Sequence, residues 1–148
     1  MSYQTVRDGL LTVLQGITGF SSANVAYEDY QYLSAGVMRA IVVEYGRFSQ
    51  EYNAMNGGQI WCDWRLRIQL FNELNDIVNA QAEQDADRES ILETIRKYPL
   101  LNHTQGVFLA VITSGEPEVN PVQLGSARWL KEVLTIEVRE DVSGTEVE

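Results

Sequence analysis

Apolar and polar residues alternate through "IWCDWRLRIQLF", residues 60–71. Ile60, Cys62, Trp64, Leu66, Ile68 and Leu70 fall on one side, and Trp61, Asp63, Arg65, Arg67, Gln69 and Phe71 on the other. A period of two predicts a strand. The first side is core. The second is mixed, and it faces either water or another protein chain. Val37 to Phe48 predicts an earlier strand, because "VMRAIVVEY" has a β-branched centre and no helical period. Between the two lies a polar link, Gly46 to Gln59, with strong turn chemistry at Asn56, Gly57 and Gly58. It is longer than a tight hairpin needs. Either the strands run on as a projecting arm or the link is a mobile loop. Both place Phe48, Tyr52 and Met55 away from the main core, where a partner could cover them.

Two segments carry a helical period instead. Val6, Leu10, Val13, Leu14 and Ile17 form one apolar stripe and predict a helix over 3–16, with Ser2 as N-cap and Gly16 and Gly19 as stop signals. Leu74 to Tyr98 predicts a longer helix, ended by Pro99. Its stripe opens with Leu74, Ile77 and Val78 and closes with Ile91, Leu92, Ile95 and Tyr98. The middle, "QAEQDADRE", is polar where the stripe should continue at Gln81, Asp85 and Arg88. The helix is therefore expected to leave the core surface in mid-course, or to break near Asp85 or Asp87 and restart on an aspartate cap.

Residues 20–37 read as a loop with a short strand at Asn24 to Tyr27. The patch "AYEDYQYLSAG" sets Tyr27 and Tyr30 among polar residues. Its rings either cover the edge of the core or meet a partner. "GVFLAVIT", residues 106–113, is almost wholly apolar and suits a strand covered on both faces. Residues 114–127, rich in proline and glycine, predict a long loop. Arg128 to Glu140 is the last strand, in which Glu132 interrupts the apolar face and points to a bulge or a sheet-edge position. The order of elements predicts an α+β fold: a mostly antiparallel β-sheet with an N-terminal helix and a long central helix packed on one face. Residues 3–140 form a single domain, and 141–148 a flexible acidic C-terminal tail.

Composition narrows the function. The chain has 148 residues, 45% hydrophobic and 22% charged, enough for a sizeable core. Its net charge of -10, with basic residues scattered, disfavours nucleic-acid binding by the lone chain. The single cysteine, Cys62, allows no internal disulfide and fits a reducing compartment. The N-terminus lacks the pattern of a secretory signal, and no run reaches the length of a membrane span, so a soluble protein made in a cytoplasm is expected. The one histidine, His103, reads as a surface or turn residue, and Cys62 as an inert core thiol. One His and one Cys make no usual zinc site, and "EQDADRE" lacks the glycine and ligand spacing of a calcium loop. No phosphate-binding glycine loop and no nucleophile elbow occurs. No catalytic residue, metal or cofactor is predicted, which favours a binding or structural role.

The whole-chain pattern resembles the tail terminator (tail completion, neck) proteins of long-tailed bacteriophages. The features that carry the resemblance begin with the short helix "TVRDGLLTVLQGI" and the tyrosine-bearing "VAYEDY". Two long strands, "MRAIVVEYGRF" and "IWCDWRLRIQLFN", then flank a polar arm. A long helix closes with "ILETIRKYPLL", and the final strand region is "SARWLKEVLTIEVRE". The resemblance covers about residues 3–140 and contains no signature motif. It implies a non-enzymatic virion subunit that assembles, six to a ring, on the end of the tail tube. Such a ring stops tube growth, meets the head–tail connector and lets DNA pass through its hole. The implied partners are further copies of the chain, the tail tube protein and the connector or head-closure protein. On that reading Tyr27, Tyr30, Phe48, Tyr52, Met55, Trp61, Arg65 and Arg67 are the candidate interface residues. Trp61 and the arginines, on a face without lysine, have interface composition. Two alternatives remain: a head-closure or other minor neck protein, and a small α+β enzyme or ligand-binding domain using Tyr27, Tyr30 and Trp61.

Overall fold

A computed structural model of the chain describes residues 2–21, 24–27, 38–53, 59–74, 77–102, 104, 107–118, 120–124 and 127–141. The elements run α1 (Ser2–Gln15), β1 (Val25–Tyr27), β2 (Arg39–Asn53), β3 (Gln59–Glu73), α2 (Ile77–Lys97), β4 (Val107–Pro117), β5 (Val122–Leu124) and β6 (Ala127–Asp141). The strands form one sheet in the order β1-β2-β3-β6-β4, with β5 also paired to β6. β1 runs parallel to β2, and every other pairing is antiparallel. The fold is α+β with a mostly antiparallel sheet, as the pattern predicts.

One face of the sheet holds the main core. Val6, Leu10, Val13, Leu14 and Ile17 of the predicted α1 stripe are buried against Ile41 and Val43 of β2, Leu66, Ile68 and Leu70 of β3, and Leu134, Ile136 and Val138 of β6. Ile91 and Ile95 of α2 join the same cluster, so both helices lie on this face. The other face has a smaller buried cluster of Ala40, Val42, Phe71 and Trp129.

α2 neither breaks nor leaves the sheet. Its inward stripe is Ala80, Gln84, Asp87, Ile91 and Ile95, all buried. This spacing keeps helical phase through two polar residues, so the stripe passes through Gln84 and Asp87 rather than Gln81 and Asp85. The sheet answers in kind. Asn72 donates from Nδ2 to Glu83 at 2.9 Å and to Asp87 at 3.0 Å. Arg39 pairs with Asp87 at 3.0 Å. Arg88 reaches Glu132 at 2.9 Å and Asp85 at 2.8 Å. Buried charges survive only where they are paired and hydrogen-bonded.

Glu132 is accordingly neither at a bulge nor at an edge. It sits opposite Leu70 in an unbroken stretch of the β3–β6 ladder, and its carboxylate is buried beneath Arg88. A charged partner on another element gave the local pattern nothing to register. Other expectations also change. Most of the polar link is strand, since β2 and β3 stay paired out to Asn53 and Gln59. Gly46 is the extra residue of a bulge between Tyr45 and Arg47, where a Cβ would lie 2.4 Å from the Arg65 carbonyl oxygen. The hairpin is no free arm, because β6 follows β3 as far as Trp61. The proline-rich stretch is mostly strand too: β4 continues to Pro117, and β5 pairs with the start of β6. β6 is long enough to offer partners to both.

Candidate subunit interface

The outer side of β3 lies between β2 and β6, and its charges are matched across both ladders. Arg67 stands directly opposite Glu44 and pairs with it at 2.6 Å. Arg65 stands opposite Glu137 and donates to it from Nε at 3.1 Å. Asp63 stands opposite Arg139 and accepts from it twice, at 2.6 and 2.9 Å. The Arg139 guanidinium also lies 5.1 Å from the centre of the Trp61 ring. Gln69 donates to Glu44. This face therefore carries three cross-strand ion pairs, partly open to solvent, with Arg47 as a further cation opposite Arg65. Such pairs contribute roughly 0.2–1 kcal/mol each. Phe71, at its lower end, is fully buried.

On the helix-bearing face the upper part of the hairpin carries aromatic rings. Tyr3 of α1 meets Tyr45 edge-on at 4.8 Å between centroids and Trp64 at 5.7 Å. Phe48 packs on Trp64 at 5.4 Å, and Trp64 Nε1 donates to Glu140 at 3.0 Å. Trp64 thus lies at the rim of the core. Beyond the reach of α1 the cover thins, leaving Phe48 53% exposed and Tyr45 37%. Tyr3 and Tyr45 were not among the predicted interface residues. Their signal is weak in sequence because one sits at a helix start and the other in an apolar strand.

Of the predicted interface residues, Phe48, Trp61, Arg65 and Arg67 are brought together on the β2–β3 hairpin, but on two faces. Phe48 is on the helix-bearing face, and Trp61, Arg65 and Arg67 are on the opposite one. Tyr52 lies on β2 opposite Ile60, and Tyr27 closes β1 on the far side of β2. Tyr30 and Met55 lie outside the described residues, as does His103.

The strand β4 departs furthest from expectation. It was predicted to be covered on both faces, and it is the edge of the sheet. Leu109 and Val111, on the face away from the helices, are 45% and 43% exposed. A hollow between β4 and the end of α2 is lined by Leu92, Ile95, Arg96, Pro99, Ala110 and Ile112.

Neither Cys62 nor Asp87 forms an open reactive centre. Burial, then Glu140 and Asp63, push the Cys62 thiol up to about 11. Burial raises the Asp87 carboxyl above its ordinary value, opposed by the Asn72 hydrogen bond and Arg39. Asp87 is closed beneath α2 at 4% exposure. Among the described residues no group of three His, Cys, Asp or Glu could hold a metal ion, and no helix is long and apolar enough to cross a membrane. No protein-family model and no curated protein matches the chain.

Proposed function

We propose that the protein is the ring-forming subunit of a phage tail terminator. Six copies would cap the tail tube, end its elongation and present a seat for the head–tail connector. The observation that carries the reading is the long β2–β3 hairpin at the open side of a helix-backed sheet, with Phe48 and Tyr45 partly exposed on it. Large aromatics left half in solvent on a rigid strand are suited to burial by a partner. The resemblance in element order supplies the kind of partner. Localisation in the virion neck, after assembly in the host cytoplasm, belongs to the same proposal. The test is tail-tube polymerisation in the presence of the purified protein. Tubes of defined length with a ring at one end are expected. Tubes that grow without limit, from a protein that stays monomeric beside them, would exclude the reading. A head-closure role is separated by the same assay, since it would leave tube length unchanged.

A further inference from the structure

We propose that copies of this chain join by β-strand pairing, the outer edge of β4 in one copy against the outer edge of β2 in the next. The inference rests on the ring reading above and names the surface through which the ring closes.

Two stretches of strand edge lack a partner among the described residues. One is the outer side of β4. The other is the outer side of β2 beyond Val43, where the short β1 stops. An open edge is normally blunted by charge, proline or brevity. The segment "VFLAVIT", residues 107–113, has no charge and no proline, the composition natural proteins keep off open edges. Bulges at its two ends leave Leu109–Ile112 as a regular run. Among the described residues nothing pairs with the outer edge of that run, and its Leu109 and Val111 side chains are exposed.

A second copy fits this edge in direction, level and charge. Through the ladders, β2, β3, β6 and β4 alternate in direction. The β2 of a copy placed alongside β4 in the same orientation therefore runs antiparallel to it, and the alternation continues. The register puts Leu109, Ala110, Val111 and Ile112 of β4 at the level of Ser49, Phe48, Arg47 and Tyr45 of β2. On the helix-bearing face Phe48 and Tyr45 would then stand beside Ala110 and Ile112, and on the other face Ser49 and Arg47 beside Leu109 and Val111. Neither segment, 107–113 nor 45–50, contains an acidic residue, in a chain of net charge -10. Copies that repel one another overall can touch there without opposing carboxylates. A two-fold pairing of β4 with β4 would cover Leu109 and Val111 but leave Tyr45 and Phe48 open. The head-to-tail pairing gives neighbours to both sets, Leu109 and Val111 on one face and Tyr45 and Phe48 on the other, and forms a ring where its rotation closes.

Disulfide trapping tests the contact. Directly opposed antiparallel residues lie about 4.5–5.5 Å apart, within the span of a disulfide. Closing strands into a ring shifts register in steps, so two double variants are made, S49C with L109C and S49C with V111C. Cys62 is buried and stays silent. Oxidation of assembled protein is expected to give a covalent ladder from at least one pair, and none from the single variants. Leu109→Lys with Val111→Lys, both on exposed side chains, should leave the monomer's melting temperature within a few degrees and weaken assembly at least tenfold. Rings that form normally with both lysines and give no ladder from either pair overturn the edge contact while leaving the ring reading standing. Dimers from L109C alone, in place of a ladder, overturn it in favour of two-fold pairing. A protein that forms no rings, alone or on tail tubes, removes both readings together.

Discussion

Arg88 and Glu132 differ in how far each depends on the other. Glu132 is buried, whereas Arg88 is partly exposed and also reaches Asp85. Arg88→Met strands a carboxylate in the core and should cost about 3 kcal/mol. Glu132→Leu leaves an arginine that can turn to water, and should cost far less. The double variant should recover most of the Arg88→Met loss, since an apolar pair often replaces a buried ion pair at little cost. Urea unfolding of the set measures this, and equal losses from both single variants would show that the pair acts symmetrically. Asp87 makes a claim about pH. Its folded pKa is raised, so the folded state holds its proton more tightly than the unfolded chain. That contribution is fully present below about pH 4 and is lost as pH rises through the folded value. Against an Asp87→Asn reference, the wild type should gain stability as pH falls from neutrality through the raised folded value, opposite in sign to ordinary acid unfolding. Thermal melts of the two proteins across that range decide it.

At the scale of elements, the β2–β3 hairpin depends on the bulge at Gly46. A side chain there would press on the Arg65 carbonyl, so Gly46→Ala must shift one strand or open the ladder. A loss of about 1–3 kcal/mol is expected. Amide exchange should quicken on the distal side of the bulge, residues 47–53 and 59–64, before it changes in α1. Uniform loss of protection would place the bulge within the global folding unit instead. The ion-pair strip on the same hairpin changes what mutagenesis of Arg65 and Arg67 reports. The sequence gives no reason for charge reversal there to disturb folding. In the ladder, however, each new acid would stand opposite Glu137 or Glu44, and like charges directly opposed destabilise a sheet. Neutral replacement by Gln is the cleaner probe of assembly. The period-two pattern had located the strand and its core side. It could not tell an interface from a self-compensated strip, because the compensating residues lie on β2 and β6.

At the scale of the whole molecule, a net charge of -10 sets copies against one another. Raising ionic strength from about 0.01 M to 0.15 M shortens the Debye length from about 30 Å to 8 Å. Self-association through apolar strand edges should strengthen over that range, as read by sedimentation velocity. Association that instead weakens with salt would point to a contact made by opposite charges. β4 shows why the molecular scale was the hardest to read in advance. An apolar run of its length suits a buried strand. Whether it is buried depends on which strands fold beside it.

The hydrophobic period determined α1, the C-terminal half of α2 and the core side of β3, because those signals are local and repeat every two or every 3.6 residues; the order of elements gave the α+β class. The period also marked the polar middle of α2 and the interruption at Glu132 as anomalies. Only the tertiary structure decided that these two anomalies answer each other across the helix–sheet contact, that Gly46 carries a bulge and that β4 lies at the edge. Each of those depends on residues far apart in sequence being brought together, and a pairing between distant segments leaves no period in either of them.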